Sequence, residues 1–234
     1  MLDIKSTPHM PKDGGFLEDY TWIRLLKKEK TIAKTPQPAL FLDRDGVINV
    51  EKSFIIHPDM FELEDGIIEL IRFYNQKDWP VIVVTNQSGI AKEKMSWNDY
   101  WLIEDRMIQD LAANGAFVDL ILACPCHPEG IAPYNEIQPP SRKPAPGMLK
   151  SAIEILAIDI KSSIIIGDRI RDIEAGRNTG LRLGILRDSG HHESQQEWQI
   201  AQKNQWDNFE LFTIKDVSEA LPIIKIKIKE LDRD

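Results

Sequence analysis

The sequence predicts an α/β fold: a doubly wound, mainly parallel sheet with helices on both faces and no large cap domain. Three observations predict it. Apolar runs of strand length alternate with segments of helical spacing. The runs are rich in Val and Ile without polar alternation, which suits strands covered on both faces. Repeated strand–helix–strand units imply right-handed crossovers within one sheet.

Taken in order, residues 1–37 are mixed and polar, with one short apolar patch, "FLEDYTWIRLL". They are expected to form an N-terminal extension that packs on the core or frays from it, ahead of a single domain over 38–234. Strands are expected at "ALFLD" (39–43), "PVIVVT" (80–85), "VDLILA" (118–123), "SIIIG" (163–167) and "RLGIL" (182–186). Helical spacing falls at 65–77, 96–114, 146–158 and 170–179. At the C-terminus "NFELFTI" reads as a last strand. "DVSEALPIIKIKIKELD" reads as a last helix, although Pro222 interrupts it and "IIKIKIK" alternates with a period of two.

A chain of 234 residues, 42% of them hydrophobic, can bury one good core. No apolar stretch is long enough to cross a bilayer, and the N-terminus lacks the pattern of a signal peptide. A soluble cytoplasmic protein is therefore expected, most simply a monomer. The formal charge of −8 disfavours nucleic acid and anionic membranes as partners, but a local cation cluster could still receive a small anion. The two cysteines, Cys124 and Cys126, stand one residue apart, a poor disulfide that fits a reducing compartment.

The chemistry is concentrated where the apolar runs stop. The first ends in Asp43, with Asp45 just beyond; the second ends in Thr85; the fourth ends in Gly167 and Asp168, with Asp172 four residues on. Arg142 and Lys143 lie in a proline-rich loop before a helix. Neighbouring parallel strands would gather these ends at one edge of the sheet. Crowded carboxylates repel one another unless a cation sits among them, and an all-oxygen donor set with room for water favours Mg²⁺. A divalent ion with Lys143 and Thr85 makes a receptor for a phosphoryl group. Asp43 can then attack phosphorus, while Asp45 protonates the leaving alkoxide and later deprotonates the hydrolytic water. Each stretch has a bland reading by itself: "DRDG" is a common turn, "VVTNQSG" a strand entering a polar loop, "GDRIRD" a helix start, and Lys143 a surface lysine. Their order and their placement at strand ends and helix starts favour the joint reading.

These residues resemble the haloacid dehalogenase (HAD) superfamily of phosphohydrolases. "FLDRDGVIN", "VVTNQSGIA", "RKPAPGML" and "IIIGDRIRDIEAG" look like the D-glycero-D-manno-heptose 1,7-bisphosphate phosphatases and the related histidinol-phosphate phosphatases, over about residues 38–190. The resemblance implies Asp43 as nucleophile, Asp45 as acid and base, and Thr85 and Lys143 as phosphoryl holders. It implies Mg²⁺ held by Asp43, the backbone carbonyl of Asp45, and Asp168. It implies substrate contacts from Glu51, Lys52, Ser53 and Phe54, from Asn86, Gln87 and Ser88, and from Arg142 and Arg169, the last replacing the group's usual lysine. The expected function is hydrolysis of a small phosphorylated sugar, foremost a heptose bisphosphate. Histidinol-phosphate phosphatase is a second reading, and a non-catalytic sugar-phosphate binder a third.

Forty-two residues separate Asp43 from Thr85, and fifty-eight separate Thr85 from Lys143. Neither gap holds a cap domain, so loops 49–60 and 124–142 are expected to cover the site and set specificity. Two departures from the family stand out. Relatives commonly carry a structural zinc held by a C-x-H and C-x-C arrangement; here the second pair falls on Pro139 and Ser141, so Zn²⁺ is not expected. Relatives also carry a His-Gly-Tyr-Val-His type run where this chain has "KSFIIH". His191 and His192 are expected in a plain polar loop, and the aromatics of "WNDYW" (97–101) in packing.

Overall fold

The computed structural model describes residues 10–27, 33–190, 192–201, 206 and 208–231. Eight strands form one sheet: β1 (Gly14–Phe16), β2 (Trp22–Leu25), β3 (Leu40–Leu42), β4 (Val81–Asn86), β5 (Leu120–Cys124), β6 (Ile164–Gly167), β7 (Leu183–Arg187) and β8 (Glu210–Ile214). Their spatial order is β1-β2-β5-β4-β3-β6-β7-β8. From β5 to β8 every pairing is parallel, while β1 and β2 add an antiparallel edge. The chain leaves β3 towards β4 and β5, then returns to β6 on its other side. That reversal puts the topological switch at β3, where a doubly wound sheet opens a crevice beyond its carboxyl ends.

Successive side chains on a strand face opposite ways, and the core follows that rule. Phe41, Ile82, Val84, Leu122 and Ile165 point to one face and join Met148 and Leu149 of α4 (Gly147–Ile155) and Ile173 of α5 (Ile170–Thr179). Leu40, Leu42, Val83, Ile121 and Ile166 point to the other and meet α1 (Ile67–Asn75) and Met107 of α3 (Trp97–Ala113). Each fully buried aliphatic side chain contributes about 1.5–3 kcal/mol of transfer free energy, which explains why these strands lack polar residues until their last positions. Short α2 (Ser88–Ala91) follows β4, and α6 (His192–Ala201) and α7 (Ala220–Leu231) flank β8.

Three features differ from the sequence reading. Part of the stretch expected as an extension is a hairpin, and β2 pairs with β5 from Trp22↔Ala123 to Leu25↔Leu120. Trp22 is fully buried, its indole N–H donates to Glu104 Oε2 at 3.0 Å, and Arg24 reaches Glu104 Oε1 at 3.1 Å. His192, expected in a polar loop, begins a helix over His192–Ala201; His191 lies outside the described residues. Pro222 falls in the first turn of α7, where its missing N–H breaks no helical bond. Among the described residues no helix is long and apolar enough to cross a membrane.

Candidate active site

Strand register brings the carboxylates together. Leu42 lies opposite Val83 on one side and Ile166 on the other, so Asp43, Thr85 and Asp168 leave the sheet side by side. The Asp43 amide donates to Ile166 O at 2.9 Å, locking this end of β3 to β6. One oxygen each from Asp43, Asp168 and Asp172 lies within 4.8 Å of the others, and all three residues are buried. Asp172 was read from "GDRIRD" among the residues gathered at this edge, but it was assigned neither a metal nor a catalytic role. It starts the first turn of α5, where its Oδ2 accepts from the Arg169 amide at 3.0 Å.

Two glycines make the crowding possible. Gly46 has a φ of +76°, and a Cβ there would lie 2.6 Å from Asp168 Oδ2. A Cβ on Gly167 would lie 2.2 Å from Asp172 Cβ.

Lys143 enters from the opposite side, 2% exposed. Its Nζ donates to Asp43 Oδ1 at 2.7 Å and to Val84 O at 2.7 Å, and forms an ion pair with Asp172 Oδ1 at 2.8 Å. Asn86 positions it by clamping its backbone: Nδ2 donates to Lys143 O at 3.0 Å and Oδ1 accepts from Lys143 N at 3.1 Å.

The electrostatics follow. Burial lifts the Asp43 carboxyl to about 6 against the pull of Lys143, with Asp172 and Asp45 adding repulsion. Burial also drives Asp168 well above the usual carboxylate range, with Asp43 and Asp172 pushing the same way. Ser189, which the sequence reading did not single out, donates its hydroxyl to Asp168 Oδ2 at 2.8 Å. Burial disfavours charged Lys143, but Asp172 and Asp43 raise it above the ordinary lysine value. Three buried carboxylates sharing a single lysine are short of positive charge, and their oxygens form a hard donor set. That is what a divalent cation such as Mg²⁺ requires.

Asp45 has different surroundings. Arg44 Nη2 forks onto both carboxylate oxygens at 2.9 Å, Asn49 Nδ2 donates at 3.1 Å, and Gln87 Nε2 at 2.8 Å. Burial would raise Asp45, but these partners hold it below the usual value, and so ionised. Gln87 Nε2 also donates to Thr85 Oγ1 at 2.9 Å, tying the two residues together.

Above this floor lies a cavity of about 470 Å³, a size suited to a small sugar derivative. Of the expected substrate contacts, Glu51, Ser53, Phe54, Asn86, Gln87, Ser88 and Arg169 line it. Arg169 meanwhile pairs with Glu197 at 2.9 Å. Two expected contacts are not brought to the wall. Lys52 turns to Glu62 Oε2 at 2.8 Å and Met60 O at 3.0 Å, and Arg142 donates to Cys126 O at 2.6 Å. Loop 49–60 supplies a wall as expected, but loop 124–142 supplies His127 alone. The third wall is the segment after β4, with Ser88, Gly89, Lys92 and Met95, which the sequence reading passed over beyond Ser88. Cys124 and Cys126 are free and buried, and Ser141 Oγ lies 3.5 Å from Cys124 Sγ. "WNDYW" packs as expected: Trp101 is buried, Trp97 stacks on it at 6.1 Å, and Trp22 adjoins both.

A sheet of this topology with clustered carboxylates and a lysine at its switch point defines a phosphoryl-transfer class of enzyme. Comparison narrows it. A family model described as HAD-hydrolase-like matches residues 140–210. The D-glycero-beta-D-manno-heptose-1,7-bisphosphate 7-phosphatase of Mesorhizobium japonicum is 38% identical over 188 residues, covering 80% of this chain and 83% of that protein. The crystal structure of a HAD-like phosphatase from Mesorhizobium loti superposes with a TM-score of 0.77 at 34% identity, covering 88% of this chain and 92% of that one. The D,D-heptose 1,7-bisphosphate phosphatase of B. bronchiseptica, complexed with magnesium and phosphate, gives 0.66 at 28% identity, covering 83% and 99%. The chain belongs to the HAD-like hydrolases, within the group of heptose bisphosphate phosphatases, and is a phosphoric monoester hydrolase.

Proposed function

We propose that this enzyme removes one phosphate from a phosphorylated sugar, foremost D-glycero-D-manno-heptose 1,7-bisphosphate at its 7-phosphate, through an aspartyl-phosphate on Asp43. The observation that carries the reading is the buried trio of Asp43, Asp168 and Asp172 beside the Lys143 ammonium. The names of the relatives support the substrate.

In this reading a carboxylate oxygen of Asp43 forms a bond to phosphorus as the sugar alkoxide leaves. Lys143 steadies the Asp43 carboxylate and the phosphoryl charge, and the Thr85 hydroxyl and the amides following β4 hold the phosphoryl oxygens. Asp45 gives its proton to the alkoxide, then takes one from the water that cleaves the acyl phosphate and returns Asp43. Because Arg44, Asn49 and Gln87 keep Asp45 ionised at rest, the base half-reaction needs no preparation. The acid half-reaction requires Asp45 to gain a proton as substrate enters. Asp43, Asp168 and the Asp45 carbonyl would hold Mg²⁺, which would neutralise charge accumulating on the transferring group. Asp172 is the fourth oxygen source, and its pairing with Lys143 makes it, with Asn86, a residue that positions the lysine.

The test is phosphate release with Mg²⁺ from the heptose bisphosphate, histidinol phosphate and an aryl phosphate, compared by kcat/KM. Preference for histidinol phosphate would overturn the substrate assignment, and no Mg²⁺-dependent hydrolysis of any of them would overturn the mechanism.

A further inference from the structure

Five cationic side chains line the cavity, and four of them already have carboxylate partners. Arg44 pairs with Asp45, Lys143 with Asp43 and Asp172, Arg169 with Glu197, and Lys92 with Glu129 at 3.3 Å. Arg171 is the exception. Among the described residues its guanidinium has no carboxylate within ion-pair distance, and its buried Nε has no hydrogen-bond partner. Burying a donor without an acceptor costs free energy, so an unpaired arginine fork on a cavity wall marks a place where an acceptor is expected to arrive.

The surroundings of Arg171 deepen that expectation. It follows Arg169 and Ile170 at the start of α5, one residue before Asp172. Neighbouring residues on a helix point about 100° apart, so Asp172 can face the floor while Arg171 faces the wall. The helix N-terminus adds partial positive charge there. His127 and Lys92 line the same cavity. Burial, together with the charges of Arg142, Lys92 and Arg171, pushes the His127 imidazole below its usual value against the opposing pull of Glu129. The cavity is therefore polarised, with carboxylates on the floor and cations gathered on one wall, where Arg171 has no carboxylate partner among the described residues, in a protein whose formal charge is −8.

We propose that Arg171, with His127 and Lys92 beside it, receives a second phosphate of the substrate, so that this wall selects sugars carrying two phosphates over those carrying one. A planar guanidinium can donate two parallel hydrogen bonds to a phosphate, which a lysine cannot match. The inference rests on the phosphatase reading above and assigns its selectivity to a residue inside "GDRIRD" to which the motif gives no role.

Wild-type protein and Arg171→Gln are each assayed with heptose 1,7-bisphosphate and with p-nitrophenyl phosphate in one Mg²⁺ buffer. The quantity read is the ratio of the two kcat/KM values. In Arg171→Gln that ratio falls about 10- to 100-fold, carried mainly by KM for the bisphosphate, and Arg171→Lys recovers part of it. A ratio within twofold of wild type in Arg171→Gln overturns the inference while leaving the phosphatase reading intact. Failure of the wild type to hydrolyse either compound overturns the phosphatase reading and this inference with it.

Discussion

The floor and the walls of the cavity are built by different rules. On the floor, Asp43, Asp168, Asp172 and Lys143 are buried and held by strand ends, a helix start and each other's charges. On the walls, Glu51, Ser53, Phe54 and Lys92 sit on loops and a short helix turn, half-buried or exposed, with few fixed partners. Glu51 shows the contrast well: burial and Asp45 lift it to about 7, yet among the described residues its carboxylate accepts only from the Ser53 amide, at 2.6 Å. A floor this constrained can change little without losing its chemistry, whereas walls of this kind can be rebuilt for another substrate.

Five experiments can break or sharpen that contrast. The largest effect belongs to the floor: Asp43→Asn should lower the rate of phosphate release by about three orders of magnitude or more while circular dichroism stays native. A variant that keeps a tenth of wild-type activity would remove Asp43 from the nucleophile's role. Next comes Lys143→Ala, which strands buried carboxylates without their cation. Urea unfolding of the metal-free protein should show a loss of about 3–5 kcal/mol. A loss below about 1 kcal/mol would mean that the floor relaxes as readily as the walls.

The third effect links metal and pH. Asp43 titrates at about 6 in the folded protein against 3.8 for the ordinary carboxyl. Between those pH values the folded chain keeps a proton that the unfolded chain has lost, so stability of the metal-free protein falls as pH rises through that window. Mg²⁺ competes with that proton, so its stabilising effect should grow in the same direction. With Mg²⁺ at about a hundred times its Kd, the gain should approach about 2.7 kcal/mol at pH 8 and shrink at pH 5. Thermal unfolding with and without Mg²⁺ at both pH values measures it, and an equal increment at both would detach the metal from these carboxylates. The smallest effects lie on the walls. Phe54→Ala should raise KM several-fold with kcat changed less, because it removes an apolar surface. Lys52→Ala should leave kcat/KM within about twofold, since Lys52 faces Glu62; a larger loss in steady-state assays would bring it back to the substrate.

Much of the floor was legible because strand termination is a local signal. Buried parallel strands admit polar residues only at their ends, so Asp43, Thr85 and Asp168 announced themselves, and Lys143 did so through its motif. The walls were less legible. Loop 49–60 was recognised, but which of its side chains turn inward depends on partners such as Glu62 and Met60 for Lys52. Arg142 was diverted in the same way by the Cys126 carbonyl. Lys92, His127 and Arg171 carry no local sign of sharing one wall. The hairpin of β1 and β2 was hidden for a related reason: its apolar patch is visible, but its partner β5 lies about a hundred residues away.

By itself, then, the sequence determined the alternation of strands and helices, the burial of the central strands on both faces and the residue types at their carboxyl ends. Those are consequences of local periodicity and of the cost of burying polar groups, which act within a few residues. Tertiary structure alone decided that Asp172 pairs with Lys143, that Asp45 is held by Arg44 and Gln87, and that Arg171 faces the cavity with no carboxylate partner among the described residues. Those outcomes depend on strand register and on which distant charges meet, and both are set by packing across the whole sheet.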